Sequence, residues 1–134
     1  FKTRADALVA QYNEYSPIAD MSVNGQLTLG ENIGDLGGVE MAYAAYQRYV
    51  EAHGEPPVLD GYTGEQRFFL GWAQVWRGLI RQDALREQLL TDPHSPMVYR
   101  INGVVRNVDA WYEAFDVIED DALYLAPEAR VSIW

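Results

Sequence analysis

The chain has 134 residues, 49% of them apolar, so we expect one domain with a single core. Its 20 acidic and 10 basic side chains give a formal charge of −10, which opposes binding to nucleic-acid phosphates. Cysteine is absent, which excludes disulfides and thiolate chemistry, and no run approaches the roughly 18 apolar residues of a membrane span.

Two helices are predicted in the first half of the chain. Apolar residues recur at helical spacing over residues 1–12, which predicts the first helix. Residues 17–29 contain a proline and an Asn-Gly turn signal, so we expect a loop with short extended pieces there. The second helix is predicted from Glu31 to Ala52, where a stretch rich in glycine and proline ends it.

A third helix is predicted to open with a capping box, because Thr63 and Gln66 stand at the spacing that this motif requires. Residues 67–81 are apolar on nearly every face, so we expect this helix to be buried and central. A short helix is predicted at about 83–90.

The last third of the chain is predicted to be less regular. Residues 92–105 are expected to be irregular or extended, and Asn107 is expected to cap a last amphipathic helix. The tail at 123–134 is expected to be extended, with Trp134 docked on the core rather than left in water. The class that these elements predict is mainly α.

The stretch GENIGDLGG contains the first candidate site. Glu31 and Asp35 are four residues apart and therefore share one helical face. Three glycines accompany them (Gly34, Gly37 and Gly38), although each costs about 1 kcal/mol relative to alanine in a helix interior. We therefore expect something to approach this backbone closely. From spacing alone, the two acids are either a solvated face or part of a metal or histidine site.

The second candidate site is in DPHSP and the residues after it. His94 lies between two prolines that stiffen the backbone and fix the direction of the imidazole. Arg100 follows in the stretch expected to be extended, and the two side chains could together bind an oxyanion. The alternative is a loop histidine and a salt-bridged arginine. The aromatic residues of 68–76 are more typical of a core than of a ligand cage.

Four motifs, in chain order, resemble the neprilysin family of zinc metallopeptidases. They are VNGQLTLGENIGDLGG, FFLGWAQVWRG, DPHSPMVYRINGVVRN and the terminal PEARVSIW. The resemblance extends over the whole chain. It implies that residues 1–134 form the helical C-terminal portion of one gluzincin-type metallopeptidase catalytic domain, with short extended segments.

The resemblance also implies roles for individual residues. Glu31 matches the third zinc ligand of the family, and Asp35 matches the carboxylate that orients a zinc-bound histidine. His94 matches the histidine that stabilises the tetrahedral oxyanion, and Arg100 matches the arginine that serves the substrate carbonyl and the structure. These matches imply that Glu31, Asp35 and His94 belong to one catalytic site, which their spacing alone does not indicate.

Further matches concern specificity and origin. Val75 and Trp76 match part of the wall of the pocket for the apolar side chain that follows the scissile bond. Gly34 stands where the family usually has alanine. The cysteines of animal members are replaced together, at Ala7, Arg77 and Val131. The resemblance is therefore to a bacterial-type member, and a periplasmic, cell-surface or secreted location is favoured.

The family's H-E-x-x-H helix, which supplies two zinc ligands and the general base, is expected upstream of Phe1. The resemblance thus implies one zinc ion and a metalloendopeptidase that hydrolyses oligopeptides through zinc-activated water. Its expected partners are the peptide substrate and the rest of the same polypeptide. Residues 1–134 alone are expected to be inactive. The alternative function is a non-catalytic peptide- or protein-binding module that keeps the peptidase fold.

Overall fold

The structure is a computed structural model, and it describes residues 1–133. The predicted class is confirmed, since the described residues form six helices, one 3-10 turn and no strand longer than an isolated bridge. No helix among these residues is both long and apolar enough to cross a membrane. The elements are α1 (Lys2–Asn13), α2 (Gly25–His53), α3 (Gly64–Val75), α4 (Gln82–Thr91), α5 (Met97–Val105), α6 (Asp109–Phe115) and the 3-10 turn at Pro127–Ala129.

The core lies where α1 and α5 pack on α2. Leu8, Tyr12, Leu36 and Val104 are each only 1% exposed. Helix α5 approaches α1 at Gly103, where an added Cβ would lie 2.7 Å from the Tyr12 hydroxyl oxygen. Glycine at this position therefore allows α5 to approach α1, and this approach places the face of α5 against the first turns of α2.

Helix α2 begins earlier than the sequence predicted, and the expected loop at 17–29 ends at Asn24. The Asn-Gly pair is a helix start instead of a turn, because the Asn24 side chain accepts a hydrogen bond from the Leu27 amide at 2.9 Å. Gly25 is packed against α1, since an added Cβ would lie 2.3 Å from the Val9 carbonyl oxygen. The predicted end near residue 52 agrees with the observed end at His53.

The close approach expected at Gly34 and Gly38 is not made by the described residues. A Cβ built at either position meets no atom within 4 Å. Gly25, nearer the start of α2, does make a close backbone contact, with α1.

This contrast predicts opposite effects of alanine at two positions of one helix. Gly34→Ala should raise the free energy of unfolding by about 1 kcal/mol, because alanine is the better helix former and has free space. Gly25→Ala should lower it by about 1–3 kcal/mol, because the methyl group would overlap the Val9 carbonyl. Urea denaturation of both variants measures the two changes. Two changes of the same sign would contradict the packing described here.

Helix α3 opens with the predicted capping box, as Thr63 and Gln66 exchange hydrogen bonds between side chain and backbone. The prediction of a buried, central helix through 67–81 is wrong. The helix ends at Val75, and beyond it Leu79 is fully exposed. Hydropathy misled here because it records how apolar a segment is and not which neighbours cover it. The central element is α2.

Helix α4 matches its predicted position, but α5 was not predicted. Residues 97–105 are helical, and Arg100 therefore lies on a helix and not in an extended stretch. The prolines of DPHSP stand ahead of the helix and not within it, with Pro96 as its N-cap residue. Proline is well tolerated at a helix start, because the first turn needs no N–H donor there.

Asn107 does not cap α6, whose N-cap residue is Val108. Its buried amide instead joins three segments. Its oxygen accepts from the Val131 amide at 2.8 Å, and its nitrogen donates to the Gly103 carbonyl at 2.8 Å and to Gln11 at 2.9 Å. This arrangement docks the tail on the core, where Val131 is 4% exposed. The docking predicted for Trp134 lies outside the described residues.

Candidate active site

The structure brings the four candidate residues of the two motifs together. Glu31 and Asp35 lie on α2, His94 lies in the connection between α4 and α5, and Arg100 lies on α5. The Nε2 atom of His94 is 3.2 Å from Glu31 Oε2, and Arg100 Nη2 is 3.8 Å from the same oxygen. The packing of α5 on α2 therefore assembles one site from segments far apart in the sequence.

Asp35 and Arg100 form the buried part of the site. The Arg100 Nε donates to Asp35 Oδ2 at 2.6 Å, and Nη2 donates to Oδ1 at 2.7 Å. Both side chains are nearly buried, at 9% and 11% exposure. The hydrogen bonds to Asp35 raise the pKa of Arg100 above its ordinary value. A two-pronged pair of this kind fixes the plane of the guanidinium as well as its charge.

Asp35 binds the edge of the Arg100 guanidinium, and two tryptophans hold the arginine from other sides. Its guanidinium carbon lies 3.7 Å from the centre of the Trp76 ring, a cation–π contact. The indole N–H of Trp72 donates to the Arg100 carbonyl at 3.1 Å. Trp72 on α3 and Trp76 at its C-terminal end thus position α5 and Arg100. These two aromatic residues of 68–76 therefore pack against other parts of the fold.

His94 is oriented by its own loop. Asp92 Oδ1 accepts from the His94 backbone N–H at 2.9 Å and lies 2.7 Å from the ring Nδ1. Gln88 donates to the His94 carbonyl at 3.2 Å. With Nδ1 turned toward Asp92, the other ring nitrogen faces Glu31. Sequence reasoning missed Asp92, although its place two residues before the histidine in DPHSP was a usable signal.

The contact with His94 changes the acidity of Asp92. The backbone N–H of His94, and then its ring, lower the pKa of the Asp92 carboxyl below the ordinary value of about 3.9. A lowered folded-state pKa means that the contact stabilises the fold above the ordinary pKa and that this stabilisation is lost as pH falls through the folded-state pKa. A carbon-13 NMR titration of Asp92 should therefore show a midpoint below 3.9.

The variant His94→Ala tests this cause. It removes the ring and keeps the backbone N–H, so the Asp92 midpoint should move part of the way back toward the ordinary value. A midpoint unchanged in the variant would show that the ring contributes nothing, and a wild-type midpoint at or above the ordinary value would contradict the described contact.

Glu31 is the donor that could serve a metal. Its carboxylate is 44% exposed, and the neighbouring position at Gly34 borders open space. Carboxylate oxygen is a normal zinc ligand, so the donor chemistry fits. Among residues 1–133, however, no group of three histidine, cysteine or acidic side chains could hold a metal ion. Within these residues, the carboxylate of Glu31 therefore lies beside a histidine and an arginine without completing a metal site.

Val75 and Trp76 are placed differently from one another. Val75 is 69% exposed at the end of α3. Trp76 lies under Arg100 and also lines an open apolar groove of about 610 Å³ between α3 and α5, to which Leu70, Met97 and Ile101 contribute. Val75 lies outside the lining of this groove. The structure thus sets one of the two predicted wall residues between the arginine and an apolar surface.

Comparison with solved structures shows the class of the fold. The crystal structure of the zinc metalloprotease Zmp1 of Mycobacterium tuberculosis, in complex with an inhibitor, superposes with a TM-score of 0.95 and 52% identity, over 99% of this chain and 21% of that one. PepO of Lactobacillus rhamnosis has a TM-score of 0.82 and 32% identity, over 100% and 20%. These matches define the class as the fold of a zinc metalloprotease.

The sequence comparisons give the family. The description "Peptidase family M13" fits residues 1–131. Neprilysin-11 of Caenorhabditis elegans is 46% identical over 86% of this chain and 14% of its own length. Endothelin-converting enzyme 1 of Cavia porcellus is 44% identical over 100% and 18%. The chain belongs to peptidase family M13, the neprilysin family of metallopeptidases, and spans less than a fifth of these two relatives.

Proposed function

We propose that this chain is the C-terminal part of the catalytic domain of a zinc metalloendopeptidase that hydrolyses oligopeptides. The observation that carries the proposal is the meeting of Glu31, His94 and Arg100, which places a carboxylate within 4 Å of two cationic or hydrogen-bonding groups. A metal-dependent hydrolytic site uses this combination, in which a metal ligand lies beside donors for the developing oxyanion.

Glu31 is the residue of this chain that would hold zinc. When bound, the ion supplies Lewis-acid chemistry that lets a water attack a peptide carbonyl at neutral pH. Two further ligands and a general base are required, and we place them in an H-E-x-x-H helix ahead of Phe1 in the full-length protein. On this proposal, residues 1–134 by themselves bind zinc weakly and do not hydrolyse peptides.

His94 and Arg100 would act on the substrate. The Asp92 contact holds the His94 ring so that Nε2 faces Glu31, where it would donate to an oxyanion formed beside that ligand. Arg100 has five N–H donors, of which Asp35 takes two, so the guanidinium can bind a carbonyl while it stays fixed. Asp35 thereby positions Arg100, in addition to the proposed contact with a zinc-bound histidine.

Val75 and Trp76 would form part of the wall that receives an apolar side chain after the scissile bond. Trp76 supports this assignment, because the ring that stacks on Arg100 also faces the apolar groove. The partners on this proposal are a peptide substrate and the rest of the same polypeptide. We further propose a location outside the cytoplasm, at the cell surface, in the periplasm or secreted.

The test uses the full-length protein. The DNA upstream of the Phe1 codon should encode H-E-x-x-H, and the purified protein should contain one zinc ion and cleave a quenched fluorescent peptide with an apolar residue after the cut. A chelator should abolish cleavage, and added zinc should restore it. Cleavage that survives removal of zinc would overturn the mechanism. Peptide binding without cleavage, unchanged by the chelator, would identify a binding module instead.

A further inference from the structure

A buried hydrogen bond accompanies the contact between His94 and Glu31. Asn32 follows Glu31 on α2, and Ser95 follows His94 in the loop. The Ser95 hydroxyl donates to Asn32 Oδ1 at 2.7 Å, and both residues are only 1% exposed. Two neighbouring pairs thus join the same two segments, one pair open to solvent and one pair buried.

The acceptor for Ser95 is held in a fixed orientation. The Asn32 side-chain nitrogen donates to the Thr28 hydroxyl oxygen at 2.9 Å, and that hydroxyl donates to the Asn24 carbonyl at 3.0 Å. Thr28 is also buried, at 3% exposure. The Asn32 amide cannot rotate without breaking a buried bond, which is unfavourable where water cannot replace it. Ser95 therefore binds a rigid point on α2.

The loop needs such a tie to α2. Asp92 and Gln88 hold His94, but they belong to the loop and to α4, so they fix the imidazole relative to its own surroundings. They do not fix its distance from Glu31. The Ser95–Asn32 bond crosses from the loop to α2 one residue away from both partners of that contact. A shift of the loop along α2 would break it.

We propose that Ser95 and Asn32 are positioning residues that set the distance between His94 and Glu31. The inference rests on the proposed function, because that distance matters for catalysis only if His94 acts on an oxyanion formed beside the Glu31 ligand. Neither residue touches the substrate on this proposal. Their loss should therefore lower kcat and leave KM and zinc content nearly unchanged, since only the transition-state contact of His94 is disturbed.

Ser95→Ala in the full-length protein is the first variant, and kcat for a fluorescent peptide should fall about 10- to 100-fold, as expected for a catalytic group misplaced by up to 1 Å. Ser95→Thr keeps the hydroxyl and should retain more of kcat. The matched control is Tyr43→Phe, which removes the 2.6 Å hydrogen bond to Glu65. Tyr43 lies on α2 about 18 Å from Glu31. The control should lose stability and keep kcat near the wild-type value.

Hydrogen exchange provides a readout that does not depend on activity. In the full-length protein without substrate, Ser95→Ala should exchange the His94 and Ser95 amides at least about tenfold faster, while Tyr43→Phe should leave them unchanged. An unchanged kcat in an active Ser95→Ala enzyme, or an equal fall in Tyr43→Phe, would overturn the inference. If the wild type cleaves no peptide, the proposed function fails, and unchanged exchange in Ser95→Ala would then overturn the positioning role as well.

Discussion

Glu31→Gln in the full-length protein is expected to lose zinc and peptidase activity together. The substitution keeps the size of the side chain and replaces a charged carboxylate with a neutral amide, which is a poor zinc ligand. Loss of a hydrogen-bond partner of a ligand already weakens metal affinity by roughly 10- to 100-fold, so loss of a ligand should exceed about 100-fold. Zinc analysis after dialysis and a peptide cleavage assay measure the two effects.

A matched control lies on the same helix. Glu51 is exposed on α2, about 30 Å from Glu31 at 1.5 Å per residue, so Glu51→Gln removes the same charge without touching the site. The control should keep full zinc and full activity. Full zinc occupancy in Glu31→Gln would disprove the ligand assignment. Retained zinc with lost cleavage would show that Glu31 acts on the substrate and is not a metal ligand.

Asp35→Ala is expected to lower the free energy of unfolding by about 3–5 kcal/mol. The substitution leaves the Arg100 guanidinium buried without the carboxylate that takes two of its donors, and removal of one partner of a buried pair has an effect of this size. The large loss reflects the uncompensated charge and not the net value of the pair. Urea denaturation of the chain measures it.

Two further variants separate the causes. Asp109→Ala breaks the 2.7 Å pair with Arg130, in which Asp109 is 77% exposed, and should change stability by less than about 1 kcal/mol. Asp35→Leu combined with Arg100→Met removes both charges and should recover much of the loss. A double variant as unstable as Asp35→Ala would show that shape, and not charge, dominates at this position.

The sequence predicted which residues lie in the site better than it predicted the contacts between them. Helical spacing alone placed Glu31 and Asp35 on one face, but Asp35 pairs with Arg100 across 65 positions, a separation that no local pattern records. The resemblance to a family gave both residues roles in one site, but it did not predict that they pair with each other. Burial also cannot be read from a single residue type. Nothing in the sequence distinguishes the buried Ser95, which binds Asn32, from an exposed loop serine.

The errors in the predicted elements have local causes. The Asn24-Gly25 pair and the prolines of DPHSP are helix breakers by type, and local sequence rules read them as evidence against a helix. In this fold both stand at the start of a helix. Their meaning depends on the neighbouring element, since Gly25 is required by the Val9 carbonyl of α1. The sequence predicts a cap at Asn107 because it does not reveal the distant segments that this residue joins.

The burial of Asp35 and Arg100 has a consequence for the solutions in which this site can work. Dissolved ions weaken exposed pairs such as Lys2 and Asp6, whose side chains are 86% and 59% exposed, but they reach a buried pair poorly. The arginine should therefore keep its position from dilute buffer to strong brine. A site anchored in this way is suited to surroundings whose ionic strength the cell does not control.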